Sequence, residues 1–373
     1  MTRLRRLTVL IVLCFLTYAA GQTTAPAGKT ADQQFKNIQV LIGVPADQVI
    51  PAMQYFNASL GVECDFCHVR QQNLQPDKDD KKEKLTARKM ITMTQSINQA
   101  NFEGKPEVGC GTCHTGKTHP SPASSLFDVN NPTAHDANRH DGPHQELPSA
   151  EQVEAAYEKA IGGHDAIEKL TTRVAKATVK NFQGQTFQIE SWSKAPDLAV
   201  TSTKLPNGQE REQGFDGKMA WTKSNRGVND AAGPELAAIR ISARFDRELK
   251  PLAAFVNARV VGMEKLDGKD CYVVRGMHAD NNFSERLYFD KESGLLLRRV
   301  FLQRTLFGPL MDTTDYSDYK EVAGVKVAFT IRRTSSETVL TRTLDSVDFN
   351  KSMDAGRFAE PAVTETKAET KKD

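Results

Sequence analysis

The sequence lacks the features that would point to several common classes of protein. Its formal net charge is only +2 over 373 residues, so it presents no basic field for nucleic acid. Six cysteines are too few for a disulfide scaffold of this length. A single long apolar run, at the N-terminus, excludes a multi-span membrane protein. The sequence also has no nucleophile motif, phosphate-binding loop or nucleotide fingerprint.

The N-terminus has the order of an export signal. Arg3, Arg5 and Arg6 precede an apolar stretch from Leu7 to Ala20, and small residues follow at Ala19–Gly21. This pattern predicts a signal peptide over residues 1–21, which would also remove Cys14. The alternative is an uncleaved N-terminal anchor. In both cases we expect a periplasmic or other extracytoplasmic protein, soluble or membrane-associated.

The length and composition predict two domains joined by a linker. Residues 30–116 show helical periodicity over about 35–41, 50–60 and 85–101, with glycine and proline at the breaks. Residues 117–148 are rich in proline, asparagine, aspartate and histidine, which is typical of a linker.

The second half changes from helical to strand periodicity. Residues 149–361 begin with helical patterns at 150–161 and 164–171 and continue with strand-like runs separated by turn signals. A helical pattern at about 235–255, which contains Pro251, interrupts them. We therefore predict an α+β fold, with a helical module followed by an antiparallel curved sheet that has helices on one side. The charged tail, 362–373, is predicted to be disordered.

Two CxxCH motifs carry the chemistry, at Cys64–His68 and Cys110–His114. In c-type cytochromes the two thiols form thioethers with haem and the adjacent histidine ligates the iron. Disulfides and a zinc site are the alternatives, but exported thiolates tend to be oxidised and zinc does not explain a histidine after each pair. We predict two covalent haems, with thioethers from Cys64, Cys67, Cys110 and Cys113 and iron ligands His68 and His114. Cys271 stands alone in a strand and receives no role.

The sixth position of each iron has methionine candidates on the helix that precedes each motif. Met53 lies before the first motif, and Met90 and Met93 lie before the second. A thioether ligand raises the reduction potential relative to a second imidazole. From the residues alone, these methionines fit iron ligation and core packing equally well.

The haem module resembles a known family. Its matching segments are Lys36–Leu41, Ser59–Cys64, Ala87–Met93, Ile97–Asn98 and Cys110–His114. They resemble the cytochrome c subunit of photosynthetic reaction centres, which binds haems through repeated units of helix, turn and CxxCH. The resemblance covers about residues 35–116. It implies that Met53 ligates the first iron and Met90 the second, with Met93 as the alternative.

This chain departs from the best-known family members, which carry four haems, because it has two CxxCH motifs. The resemblance therefore supports a haem module more firmly than it supports photosynthesis.

The strand-rich half resembles the LolA-like half-barrel of lipoprotein carriers. The similar segments are Gly214–Trp221 and Tyr288–Leu295, each a strand, a tight turn and an apolar strand. Such half-barrels hold lipid or acyl chains on an apolar concave face, which implies a lipophilic ligand. Ordinary core packing under the helices is the alternative.

Together these patterns predict an electron-transfer protein rather than an enzyme. Two His/Met-ligated haems would exchange electrons with a redox partner protein or a membrane electron-transfer complex, such as a reaction centre, and not with nucleic acid. The alternatives are a lipid carrier with a redox-sensing haem module, and a haem enzyme whose methionine dissociates. The histidines of the linker region would be solvated or would bind metal: His119, His135, His140 and His144.

Overall fold

The computed structural model of the chain describes residues 28–71, 73–120, 147–205, 207–225, 227–279, 283–335 and 338–361. The expected signal peptide, most of the expected linker and the tail at 362–373 lie outside these residues. Among the described residues, no helix is both long enough and apolar enough to cross a membrane.

Residues 28–120 form a small helical module. Two short strands, β1 (Val69–Arg70) and β2 (Leu74–Gln75), make an antiparallel hairpin inside it. A 3₁₀ turn covers Ala46–Gln48. The helices are α1 (Ala31–Gln34), α2 (Val49–Leu60), α3 (Cys64–Cys67), α4 (Lys82–Asn101) and α5 (Cys110–His114).

Two of the three helices predicted in this module are present, and the prediction of the third is wrong. Helix α2 ends where expected, because Gly61 takes the left-handed conformation at φ 65°. The expected helix over 35–41 is instead a series of turns. Asn37 sits at φ 61°, and its side-chain amide donates to the carbonyl of Asp77 at 2.7 Å. A residue at positive φ cannot continue a right-handed helix, and the bond to Asp77 fixes Asn37 in that conformation.

Among the described residues of the second half, thirteen strands form one antiparallel sheet. Strands β3 to β8 form one meander and β9 to β15 form another, and the pairing of β15 with β3 joins them. Strands β8 and β9 lie at the two edges. The strands are β3 (Thr172–Asn181), β4 (Thr186–Lys194), β5 (Leu198–Lys204), β6 (Glu210–Phe215), β7 (Ala220–Ser224), β8 (Gly227–Asp230), β9 (Arg259–Leu266), β10 (Lys269–Met277), β11 (Phe283–Asp290), β12 (Leu296–Thr305), β13 (Gly308–Val322), β14 (Val325–Thr334) and β15 (Val339–Phe349).

Three helices accompany the sheet: α6 (Ala150–Ile161), α7 (His164–Ile167) and α8 (Gly233–Ala243). A second 3₁₀ turn covers Ala355–Phe358. Helix α6 begins at a capping box, because Ser149 Oγ accepts from the Gln152 backbone N–H at 3.2 Å and the Gln152 side chain accepts in return.

The main apolar core lies between α6 and the sheet. Tyr157 on the buried face of α6 meets Phe289 of β11 edge to face, with ring centroids 5.5 Å apart. The predicted α+β fold with an antiparallel sheet is therefore confirmed. The helix expected over 235–255 is only partly correct, since α8 ends at Ala243. Pro251 lies in the turns that follow, where a ring without an N–H does not support a helix.

The two halves of the chain share a contact at the hairpin between β12 and β13. Phe307, at the tip, is 4% exposed and packs among Val49, Ala52 and Tyr55 of α2. Its ring meets Phe56 edge to face at 4.9 Å between centroids. The sheet therefore contributes one aromatic side chain to the apolar core of the helical module.

A cluster of charged side chains is buried in the second half. The Glu285 carboxylate is fully buried and accepts from Arg247 at 2.9 Å, from Arg299, and from His278 Nε2 at 3.0 Å. Burial alone would raise the pKa of Glu285, but Arg299 and Arg247 hold it well below its ordinary value. The cluster ties the segment after α8 to strands β10, β11 and β12.

Removing the central charge of this cluster should destabilise the protein strongly. Glu285→Gln removes the carboxylate that the buried Arg299 and the partly buried Arg247 contact directly, so we expect the free energy of unfolding to fall by about 3–5 kcal/mol. The control is Glu190→Gln, which removes a surface ion pair with Lys176 at 3.6 Å and should cost less than about 1 kcal/mol. Urea denaturation at pH 7 measures both, and equal costs would contradict this role for Glu285.

The same carboxylate makes stability depend on pH in one direction. Because the pKa of Glu285 is lowered by folding, its stabilisation is present above its unfolded pKa of about 4.3 and is lost as the pH falls through the folded value. Acidification below about pH 4 should therefore lower the stability of the wild-type protein more than it lowers the stability of the Glu285→Gln variant. Thermal unfolding between pH 2 and pH 7 tests this, and parallel pH profiles would refute it.

Candidate functional site

One cavity of about 1070 Å³ lies inside the helical module. It exceeds the upper end of the usual range for small-molecule sites, about 1,000 Å³. Every residue that the sequence analysis assigned to haem attachment or iron ligation lines it: Met53, Cys64, Cys67, His68, Met90, Met93, Cys110, Cys113 and His114. The fold thus brings both CxxCH motifs and all three candidate methionines to a single space.

The first motif is a single helical turn, α3. The backbone N–H of His68 donates to the Cys64 carbonyl at 3.0 Å, which closes the turn. The Asn57 amide of α2 donates to Cys64 Sγ at 3.5 Å, and the Lys81 ammonium donates to the Asp65 carbonyl. Both contacts come from within the helical module.

His68 offers a neutral imidazole to the cavity. Burial lowers its pKa, and the nearby Lys84 and Arg88 charges lower it further. The Pro76 backbone opposes this shift only weakly, and Nδ1 is buried without a hydrogen-bond partner among the described residues. A neutral imidazole keeps one nitrogen lone pair, as a metal ligand requires.

The second motif is the short helix α5, which the chain fixes at both ends. Before it, the Asn98 side chain donates to the Val108 carbonyl at 2.8 Å and accepts from the Val108 N–H at 2.9 Å. After it, the Gly116 N–H donates to the Ser59 carbonyl at 2.9 Å. These bonds hold α5 against α2 and α4.

The ring of His114 has a defined tautomer. Its Nδ1 lies 2.9 Å from the Lys117 carbonyl, which can only accept, so Nδ1 carries the proton. The Nε2 atom then keeps its lone pair. A backbone carbonyl on one ring nitrogen is the usual way of orienting a metal-bound histidine through the other.

The four motif cysteines are free thiols, and no disulfide joins any cysteine in the described ranges. Burial raises the pKa of Cys67, with a further contribution from Glu83, and burial also raises the pKa of Cys110. No group of three or more histidine, cysteine or acidic side chains forms a metal site within the described part of the chain. Neither alternative interpretation of the motifs, disulfides or zinc, is therefore formed in this structure.

Helix α2 separates the two motifs and presents a different side to each. Met53 and Asn57 are one turn apart on one side, and Asn57 contacts Cys64 of the first motif. Tyr55 lies on another side and accepts from the Gly111 N–H of the second motif at 3.4 Å. Met53 therefore lies on the side of α2 that faces the first motif.

Met90 and Met93 lie on adjacent turns of α4, with Ile97 following them along the cavity. Met90 is 36% exposed and Met93 is 47% exposed. Such exposure of large apolar side chains along a cavity indicates a surface that an apolar group would cover.

The cavity fits the haem chemistry that the sequence predicts. Protein interiors are close-packed, and few voids exceed a water molecule. This cavity is far larger, has apolar side chains along both long helices, and carries a pair of thiols and a histidine at each of two places. These residues could hold two haems, one at each motif.

Of the four linker histidines considered from the sequence, the structure describes one. His119 lines the cavity, where Thr118 Oγ1 lies 3.3 Å from its Nδ1. His135, His140 and His144 lie outside the described residues.

Sequence reasoning missed the residues that support the site. Asp79 accepts from Lys84 at 2.8 Å and from Arg88 at 3.0 Å, which holds the pKa of Asp79 below its ordinary value. The surrounding segment alternates charges and therefore looks like a solvated loop in the sequence. Tyr55 and Phe307 were missed because no local pattern signals their contacts with the second motif.

The chain is similar to proteins of known family. The family model for the photosynthetic reaction centre cytochrome c subunit matches residues 16–202. Cytochrome c-554 of Chloroflexus aurantiacus is 34% identical over 98 residues, which span 24% of this chain and 23% of the relative. The match thus covers about a quarter of that relative's length.

Solved structures are also similar to this chain. A DUF1329 family protein from Desulfovibrio piger is 12% identical with a TM-score of 0.42, and the match covers 57% of this chain and 98% of that one. A LolA superfamily protein from Nitrosomonas europaea is 11% identical with a TM-score of 0.42, and the match covers 57% of this chain and 99% of that one.

The family match reaches beyond the segment that carried the sequence resemblance. It extends past both CxxCH motifs, through α6 and into strand β5. Since it spans half of the sequence, this chain belongs to the photosynthetic reaction centre cytochrome c subunit family.

Proposed function

We propose that the protein is an exported dihaem c-type cytochrome that transfers electrons. The observation that carries this proposal is the single cavity, which both CxxCH motifs and all three candidate methionines line. Membership of a cytochrome c subunit family supports the same chemistry.

The attachment follows from the two cysteine pairs. Cys64 and Cys67 would each add a thiol S–H across a vinyl C=C bond of the first haem, and Cys110 and Cys113 would do the same for the second. His68 and His114 would ligate the irons through neutral imidazole nitrogens. Bound haem supplies an iron that cycles between Fe(II) and Fe(III), one electron at a time.

The methionines would supply the second protein ligand of each iron. Met53 lies on the side of α2 that faces the first motif, so we assign it to the first iron. Met90 is assigned to the second iron, with Met93 as the alternative one turn along α4. With both axial positions filled, neither iron would have a place for substrate, which favours electron transfer over enzymatic turnover.

The protein would work outside the cytoplasm, next to a redox partner. The export pattern at residues 1–21 supports this location. The partner would be a redox protein or a membrane electron-transfer complex, such as a reaction centre, as the family suggests.

A lipid-carrier function has less support. The cavity between α6 and the sheet measures only about 60 Å³, and Arg173, Glu248 and Arg342 are among its lining residues. A space of this size holds a few water molecules rather than an acyl chain. Charged side chains at the cavity also make it a poor place for an apolar ligand.

Haem stoichiometry tests the proposal. Expressed with c-type maturation machinery, the chain should carry two covalent haems by intact mass and pyridine haemochrome spectrum. Replacing Cys64 and Cys67 by alanine should remove one haem, and replacing Cys110 and Cys113 should remove the other. The matched control is Cys271→Ala, a buried cysteine in β10 that should leave both haems in place. No covalent haem in the wild type would overturn the proposal.

Single methionine variants test the axial ligands. Met53→Ala should lower the reduction potential of the first haem and let CO bind to it after reduction, because an axial position opens. Met90→Ala should do the same at the second haem, and Met93→Ala should change neither. Met311→Ala removes an exposed methionine in β13 and serves as the control. Spectra and potentials unchanged in both Met53→Ala and Met90→Ala would refute the assignment.

A further inference from the structure

The tip of the β12–β13 hairpin is preorganised by its own hydrogen bonds. Thr305 Oγ1 donates to the Gly308 carbonyl at 2.7 Å and accepts from the Phe307 N–H at 3.2 Å. Thr305 and Phe307 are both buried. The sheet therefore presents a rigid tip to the helical module.

This tip meets the second CxxCH motif through Tyr55. A Cβ atom at Gly308 would lie 2.6 Å from the Tyr55 hydroxyl, and a Cβ at Gly109 would overlap both that hydroxyl and the Phe307 carbonyl. The phenol thus lies in close contact with the hairpin tip on one side and, on the other, with the residue before Cys110. Both glycines are needed for this close approach.

Tyr55 also bonds to the motif itself. Its hydroxyl accepts from the Gly111 N–H at 3.4 Å, inside the turn that carries Cys110 and Cys113. Cys110 and Met53 both pack against the apolar cluster that contains Phe307 and Tyr55, and the hydrogen bond of Tyr55 goes to the second motif. The contacts described above for the first motif come from Asn57 and Lys81, and neither involves the sheet.

We propose that Tyr55, held in place by the Phe307–Gly308 tip of the sheet, is a positioning residue for the second haem. It would set the orientation of α5, and through α5 the placement of Cys110 and His114. Asn98 and Ser59 also fix the ends of this segment, so losing Tyr55 should loosen the motif without detaching it. This inference rests on the proposed function, because it concerns haem at that motif.

The experiment uses the full chain in two single-haem backgrounds. One carries Cys64→Ala and Cys67→Ala and retains the second haem, and the other carries Cys110→Ala and Cys113→Ala and retains the first. Tyr55→Phe, which keeps the ring and removes the hydroxyl, and Phe307→Ala are placed in each. Leu306→Ala, an exposed neighbour at the same tip, is the matched control.

Tyr55→Phe should shift the reduction potential in the second-haem background and leave it unchanged in the first-haem background. Phe307→Ala also removes packing from the cluster that Met53 contacts, so it should shift the potential more in the second-haem background than in the first. Hydrogen exchange at the Gly111 amide should become faster in Tyr55→Phe by up to about tenfold. This increase corresponds to the free energy that one neutral hydrogen bond contributes. This second readout does not depend on electron transfer. Leu306→Ala should alter neither quantity.

Equal shifts in both backgrounds, or none in either, would overturn the inference while leaving the dihaem proposal intact. Tyr55→Phe keeps the ring that fills the core, so it separates positioning from loss of stability if Phe307→Ala folds poorly. Absence of covalent haem from both backgrounds would instead count against the proposed function itself.

Discussion

The helical module encloses a space that its own side chains do not fill. A partly open cavity of about 1070 Å³ between α2 and α4 is far larger than the voids that close packing leaves between side chains. Two covalent haems would complete this core, and the cysteine pairs at its edge would anchor them. Each motif is a short local turn, so the fold needs only to place the side chains of two such turns in one cavity.

Helix α2 contacts both motifs, each through a different side of the helix. The side with Met53 and Asn57 faces the first motif, and Tyr55 faces the second. The opposite wall is α4, whose Lys84 and Arg88 are bound by Asp79 and lie near His68. Ion pairing at that wall keeps these cations in place, and their charge favours a neutral His68 imidazole.

The sheet half supports the module mechanically through the aromatic tip of the β12–β13 hairpin. Phe307 completes the apolar cluster around α2, and its hairpin belongs to a sheet stabilised by the buried Glu285 cluster. Anchoring by a large sheet limits the freedom of a small module with little core of its own. The family match crosses from the module into the first strands, so the two parts are continuous in sequence as well as in packing.

The sequence predicted most reliably those features that depend on local spacing. The CxxCH turns, the end of α2 at Gly61 and the start of α6 at Ala150 all follow from residues within five positions of one another. The Asn37 bond to Asp77 and the docking of Phe307 on α2 depend on contacts far apart in the chain. No periodicity encodes such contacts, which is why a helix was expected at 35–41 and the hairpin contact was missed. Met90 and Met93 occupy neighbouring turns of one helix face, so pattern alone does not choose between them.

The most direct test is a reductive titration of the purified, fully matured chain under anaerobic conditions. If two haems share the cavity and cycle between Fe(III) and Fe(II), the oxidised protein will take up two electrons per chain. Both electrons will be returned to an added one-electron acceptor, and the change in haem absorbance will correspond to two electrons per chain. Uptake of fewer than two electrons by a chain shown to carry both haems, or reduction that no acceptor can reverse, would contradict electron transfer through this cavity.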